Sequence, residues 1–220
     1  SFRAEVDPAG VADEVVDRDR IAFPLVVRTP TPGERFDPLG MSGKRQRLVE
    51  FIETRVETRK PLPYILGRAY IQGVPFHVDE RVIVPRSFIG ELLFSDLFSG
   101  EEAGLVPDPE AIETVLDLCT GSGALAILAA GIFPQAKVDA VDLSPDALAV
   151  ARKNVAEHEL ADRVTLFEGD LFAPLAGRRY DLILTNPPYV DVEAMARLPQ
   201  EYRHEPALAL LFGAASPDVF

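Results

Sequence analysis

Between residues 114 and 186, four short apolar runs alternate with segments of helical character, and this alternation restricts the fold more than any other feature. Residues 114–119, 137–142, 164–170 and 180–186 read as strands, and residues 124–133 and 145–160 as helices. Ser144 stands as an N-cap with Pro145 at the first helical position and Asp146 in the first turn, so the second helix has a defined start. Strands and helices in this order predict an α/β domain whose parallel sheet carries helices on both faces.

The residues before this unit are organised differently. Leu48, Phe51, Ile52 and Val56 recur at helical spacing and predict a helix over residues 44–59, with Ser42 or Gly43 at its start. Alternation over residues 74–84 predicts a hairpin or paired short strands, and residues 88–98 an apolar helix. Residues 20–27 form a candidate strand inside an extended or irregular arm that ends in the proline-rich residues 29–38. Two prolines and two acidic residues over 104–110 mark a boundary. Residues 1–103 then form an N-terminal arm, helix and hairpin region, and residues 104–220 the α/β domain.

Composition narrows the functional classes. A single cysteine, Cys119, rules out an internal disulfide framework and fits a reducing, cytoplasmic compartment. The three histidines, His77, His158 and His204, lack ligand spacing, so no metal site is expected. No apolar run is long enough to span a bilayer, and no membrane partner is expected. The net charge of −13 argues against general nucleic-acid binding and is compatible with a basic protein partner.

The first strand runs into Asp-Leu-Cys-Thr-Gly-Ser-Gly over residues 117–123 and then into a helix. Gly121 and Gly123 permit a tight turn with exposed backbone N–H groups. The pattern is neither the dinucleotide glycine fingerprint nor a P-loop, and Ser122 is not in a nucleophile elbow. Asp142, at the end of the next strand, can accept from the hydroxyls of a ribose. Asp170, at the end of the third, can accept from an adenine amine, with Leu171 and Phe172 as apolar neighbours. All of these lie at the C-terminal ends of strands, where open α/β sheets bind ligands.

The fourth strand ends in Asn186-Pro187-Pro188-Tyr189. An amide nitrogen that is to attack a methyl group needs acceptors for its two N–H donors. The Asn186 side-chain oxygen and the Pro187 carbonyl can serve, and neither proline has an N–H to compete. Tyr189 offers a flat face for a planar group. The chemistry implied is positioning with electrostatic complementarity rather than an acid–base relay.

Together, the Asp-Leu-Cys-Thr-Gly-Ser-Gly and Asn-Pro-Pro-Tyr segments resemble those of the protein-(glutamine-N5) methyltransferases. Residues 81–93, with Pro-Arg-Ser before Ile-Gly-Glu-Leu, and residues 198–210 resemble the branch acting on ribosomal protein L3 rather than the release-factor branch. The resemblance covers about residues 42–211. It implies a class I S-adenosylmethionine methyltransferase sheet, Rossmann-like, behind a small N-terminal helical and hairpin region.

The resemblance also implies roles for particular residues. Asn186, Pro187 and Tyr189 would be catalytic. Asp117, Cys119, Thr120, Gly121, Gly123, Asp142, Asp170, Leu171, Phe172 and Asn186 would bind S-adenosylmethionine. Pro85, Arg86, Phe88, Pro188, Tyr202 and His204 would lie near the substrate. Read from the residues alone, Arg86 could instead be a surface group or pair with Glu91, and His204 has no placement as a base. Cys119 is expected to pack at the strand end rather than act as a nucleophile.

The implied reaction methylates a glutamine amide of L3. A release factor, an adenine of DNA or RNA, and cofactor binding without turnover are the alternatives. The resemblance further implies strands after residue 210, so the sheet is expected to be incomplete at its C-terminal end, leaving the fourth strand as an exposed edge.

Overall fold

The computed structural model describes residues 38–95, 104–106 and 108–212. The candidate strand at 20–27 and most of the proline-rich arm lie outside the described residues. A 21-residue helix, α1 (Pro38–Thr58), opens the described chain and begins earlier than the residue 44 that periodicity indicates. A short helix α2 (Leu62–Leu66) follows and is closed by Gly67 in the left-handed conformation.

Next comes a two-stranded antiparallel hairpin, β1 (Arg68–Ile71) and β2 (Val74–His77). The hairpin therefore lies earlier than the 74–84 alternation indicates, and residues 78–87 carry no strand. Its two turn residues explain the shift. Gln72 and Gly73 both have positive φ, 49° and 79°, as a tight two-residue hairpin turn requires. Glutamine is an unusual residue there, so the turn carries little signal in sequence. Helix α3 (Phe88–Leu93) is capped by Ser87, whose side chain accepts from the Ile89 N–H.

The second half follows the expected alternation. Strand β3 (Thr114–Leu118) leads to helix α4 (Ala124–Ile132), β4 (Lys137–Asp142) to helix α5 (Pro145–Glu157), and then come β5 (Val164–Glu168) and β6 (Leu182–Thr185). The strands form one parallel sheet in the order β5-β4-β3-β6. Ser144 caps α5 as expected, accepting from the Ala147 N–H at 3.2 Å. After β6, helix α6 (Val192–Arg197) is capped by Asp191.

One face of the sheet is covered by helix. Val115, Val138, Ala140 and Leu184 pack there with Leu125, Ala126 and Ala129 of α4 and Val155 of α5. Ile71, Val74, Phe76 and Leu93 join the same cluster, so the hairpin and α3 share the core of the sheet. Gly90 of α3 is required for that approach, since a Cβ there would lie 2.7 Å from the Ile71 side chain.

The opposite face has a different cover. Leu116, Leu118 and Val141 pack with Leu175, Phe167 and Tyr180. Among the described residues this cover is the irregular stretch after β5, with a 3-10 turn at Ala173–Leu175. Arg178 stacks over Phe167 at 4.6 Å, and Tyr180 donates to Asp139 at 2.7 Å, which closes the polar edge of this layer. Ile183 of β6 stays about half exposed. No helix among the described residues is long and apolar enough to cross a membrane.

Candidate active site

The end of β3 is where backbone geometry first turns to function. Cys119, Gly121 and Gly123 have φ of 58°, 55° and 79°. The chain thus leaves the strand through three left-handed residues before α4 begins. Thr120 donates its N–H to Val141 at 3.0 Å, which holds the turn against β4. Nothing lies within 4 Å of where a Cβ on Gly121 would be, so the turn opens onto free space. At Gly123 such a Cβ would lie 3.2 Å from Ala151 of α5, so this glycine also permits helix packing.

Asp117 is fully buried beneath the turn. Its Oδ2 accepts from the Thr120 hydroxyl at 2.6 Å and from the Ala126 N–H at 3.0 Å. The carboxyl group thus caps the first turn of α4 from inside the sheet. Burial pushes its pKa up to about 7, against the pull of those two hydrogen bonds. Its Oδ1 is buried and has no protein partner. Cys119 beside it is half-buried. Burial, reinforced by Asp142, Asp117 and Asp170, raises its thiol to about 12, so it is no thiolate at neutral pH.

Asp142 closes the turn from the neighbouring strand. Its Oδ2 accepts from the Gly121 N–H at 2.8 Å and its Oδ1 from the Ser144 N–H at 2.9 Å. Burial raises its pKa while these N–H groups oppose the rise. The carboxylate keeps acceptor capacity for a further donor. Leu143 follows it at 40% exposure, and Phe172 beyond β5 is 55% exposed. Asp170 is exposed and Leu171 has φ of 44°. An open glycine turn, a carboxylate with spare acceptor capacity and two exposed apolar side chains fit the polar and flat parts of a nucleoside cofactor.

The Asn-Pro-Pro-Tyr segment starts one strand away. Leu118 of β3 pairs with Thr185 of β6, so Cys119 and Asn186 leave adjacent strands at one level. Asn186, Pro187 and Tyr189 line an open cleft of about 300 Å³ together with Arg86, Ser87 and Phe88. Tyr189 and Phe88 are 76% and 72% exposed, so two aromatic faces flank the opening. Val190 anchors the segment from below, donating to Leu210 at 2.9 Å and accepting from Phe212 at 2.8 Å. Pro85 and Pro188 stand next to lining residues without lining the cleft themselves.

Tyr202 and His204 do not line the cleft, and Arg86 at its wall has a partner of its own. Arg86 pairs not with Glu91 but with Glu205, through two hydrogen bonds of 2.7 Å. Its guanidinium lies 4.9 Å over the Tyr202 ring. The His204 Nε2 is 3.0 Å from the Thr58 carbonyl, away from the cleft lining.

Leu143 and Asn154 were not legible as site residues, and Glu205 was implied only by resemblance, in a loop beside the substrate entrance. Asn154 had no signal except its place in α5, yet it is fully buried. Asn154 accepts from the His77 N–H at 2.6 Å and donates to the carbonyls of His77 at 2.9 Å and Ser122 at 2.8 Å. It ties the glycine turn to the hairpin.

Comparison with known proteins agrees with this geometry. Residues 105–201 match the model of the methyltransferase small domain, which gives the sheet its class as a Rossmann-like methyltransferase fold. The cofactor such a fold implies is S-adenosylmethionine. The ribosomal protein uL3 glutamine methyltransferase of Bradyrhizobium diazoefficiens is 61% identical over 78% of this chain and 54% of its own length. The enzyme of that name from Bordetella pertussis is 52% identical over 86% of this chain and 63% of its own length. That of Francisella tularensis is 43% identical over 79% and 54%. The chain thus spans little more than half the length of these curated relatives. With both motifs on one rim of the sheet and identities of this size, the chain belongs to the protein-glutamine N5-methyltransferase family.

Proposed function

We propose that this chain transfers a methyl group from S-adenosylmethionine to the side-chain amide nitrogen of a glutamine in ribosomal protein L3. The observation that carries the reading is the position of Asn186–Tyr189. This segment leaves the sheet beside the glycine turn and lines an open cleft. The names of the relatives supply the substrate, and the net charge of −13 favours encounter with a basic ribosomal protein in the cytoplasm.

When bound, S-adenosylmethionine supplies an electrophilic methyl group on a sulfonium sulfur. The Asp142 carboxylate would accept from its ribose hydroxyls, Leu143 and Phe172 would flank its base, and Asp170 would accept from the base's amine. Asp117 and Thr120 hold the turn that carries these contacts. At the other end, the Asn186 oxygen and the Pro187 carbonyl accept the two N–H donors of the glutamine amide. Tyr189 packs flat against it, which holds the amide in one orientation for attack. Once the N–C bond forms and the sulfonium leaves as a thioether, the methylated nitrogen is cationic and loses one proton to solvent water at the open cleft. His204 is engaged by Thr58 and takes no part in proton transfer.

The reading is tested with full-length protein, radiolabelled S-adenosylmethionine and three acceptors: unmethylated L3, a release factor and DNA. Mass spectrometry then maps the product. Label on one L3 glutamine is expected. Asn186→Ala is expected to slow transfer by about 10²–10³-fold, the usual cost of losing one preorganised group at the reacting centre, while cofactor affinity stays within a few-fold. Label on the release factor or on an adenine would replace the substrate, and cofactor binding without label on any acceptor would remove the enzymatic reading.

A further inference from the structure

Residues 200–205 form a 3-10 turn and its C-cap between the cleft and α1, and charged ties hold it from both sides. On the α1 side, Glu201 accepts from Arg55 at 2.9 Å and from Arg59 at 2.6 Å. On the cleft side, Glu205 accepts from both terminal nitrogens of Arg86, each at 2.7 Å. The Glu205 side chain is only 3% exposed, whereas that of Arg86 is 40% exposed and lines the cleft.

A carboxylate so buried is strongly disfavoured unless paired, and a two-pronged arginine is the geometry that satisfies both of its oxygens. The Tyr202 ring beneath the guanidinium restricts its tilt. Arg86 is thus spoken for before any acceptor arrives, and its charge is neutralised at the cleft wall. What the pair fixes is the segment that runs from Arg86 to Phe88. That segment lines the same cleft as Asn186 and Tyr189.

We propose that Arg86 and Glu205 are positioning residues for the methyl acceptor. They act on the substrate through the wall they hold, and the strap of residues 200–205 links the width of the cleft to α1. This rests on the glutamine-methyltransferase reading for its kinetic consequence but not for its mechanical one. Loss of the Glu205 charge frees the wall, while the cofactor turn, tied separately by Asp117, Asp142 and Asn154, is left in place.

The test compares Glu205→Gln, Arg86→Lys and the double variant in the full-length protein. Both single variants are expected to lower kcat/KM for the protein acceptor by about 10–100-fold, the scale of a small misplacement at a reacting centre. The double variant is expected to lose no more than the worse single one, because both remove one clasp. Cofactor affinity should stay within two-fold of the parent in all three. Amide hydrogen exchange over residues 86–90 and 200–206 should quicken in Glu205→Gln, while residues 117–126 keep their protection.

A normal kcat/KM in Glu205→Gln beside a large loss in Arg86→Lys would overturn the proposal, because Arg86 would then touch the acceptor directly. Parallel loss of cofactor affinity, or of protection over residues 117–126, would overturn it as well, because the pair would then support the fold at large. If the parent protein methylates no acceptor, the function proposed above fails. The exchange measurement still decides whether the clasp holds the wall.

Discussion

At the end of β3 the turn is closed by short-range bonds within the sheet, whereas beyond β6 the cleft is held by partners far away in sequence. Gly121 and Asp142 are 21 residues apart, and Thr120 and Asp117 only three. Arg86 and Glu205 are separated by 119 residues, and Arg55 and Glu201 by 146. The first region is buried and its polar groups are mostly paired. The second leaves Tyr189 and Phe88 largely in solvent. A turn held by its own hydrogen bonds suits a cofactor that is the same in every turnover. An open cleft with exposed aromatic faces suits an acceptor that arrives on another macromolecule.

The contrast can be broken most severely at Gly123. A valine there must adopt φ near 79° and set its Cβ 3.2 Å from Ala151. Strain and crowding together are expected to cost about 3 kcal/mol, read in a denaturant titration. Cofactor affinity is expected to fall by at least about 10²-fold by calorimetry, as about 3 kcal/mol implies. A variant that melts and binds like the parent would show that the turn is not the rigid element described above.

Asn154→Ala has a smaller expected effect and sharpens the comparison. It strips partners from the His77 N–H, the His77 carbonyl and the Ser122 carbonyl inside the protein. Leaving such groups unsatisfied costs about 1–3 kcal/mol. Cofactor affinity is expected to weaken by about tenfold, equal to about 1.4 kcal/mol, with the KM for the acceptor little changed. Loss at the acceptor end alone would mean that the hairpin serves the cleft and not the glycine turn.

The mildest change is Asp117→Asn, and its signature is in pH. The folded carboxyl has its pKa raised by burial to about 7, above its unfolded value. The folded state therefore binds more protons than the unfolded state between the ordinary carboxylate range and about pH 7. Stability from this group falls as pH rises through that window. Asparagine can accept the same hydrogen bonds from Thr120 and Ala126 and carries no charge. The variant is expected to lose that downward slope between about pH 4 and 7, with the smallest change below about pH 4, where the carboxyl is neutral in both states. An unchanged slope in thermal melts across this range would show that Asp117 is ionised throughout.

Much of the sheet was legible before the fold was known. Strand β4 has the bounds expected from sequence, and β3, β5 and β6 differ by no more than a few residues at their ends. Parallel strands buried by other layers leave continuous apolar runs, and Ser144 with Pro145 marks a helix start in the chain itself. The hairpin was misplaced because its turn uses Gln72 at positive φ, which no common turn dipeptide announces. The pairing of Arg86 with Glu205 rather than Glu91 was equally hidden. Residues 86 and 91 are near in the chain, but the carboxylate that meets the guanidinium arrives from a loop beyond the sheet.

The candidate site divides along the same line. The sequence alone determined the glycine turn, the acidic residues at strand ends and the Asn-Pro-Pro-Tyr segment. Each depends on side-chain chemistry within a few residues and on the rule that ligands meet a parallel sheet at its C-terminal ends. Only the tertiary structure decided that Asp117 caps α4, that Asn154 ties the hairpin to the turn, and that Glu205 claims Arg86. Those choices depend on burial. An isolated carboxylate or amide accepts a partner from water, but once the core closes it must find one among whatever groups the packing brings within reach.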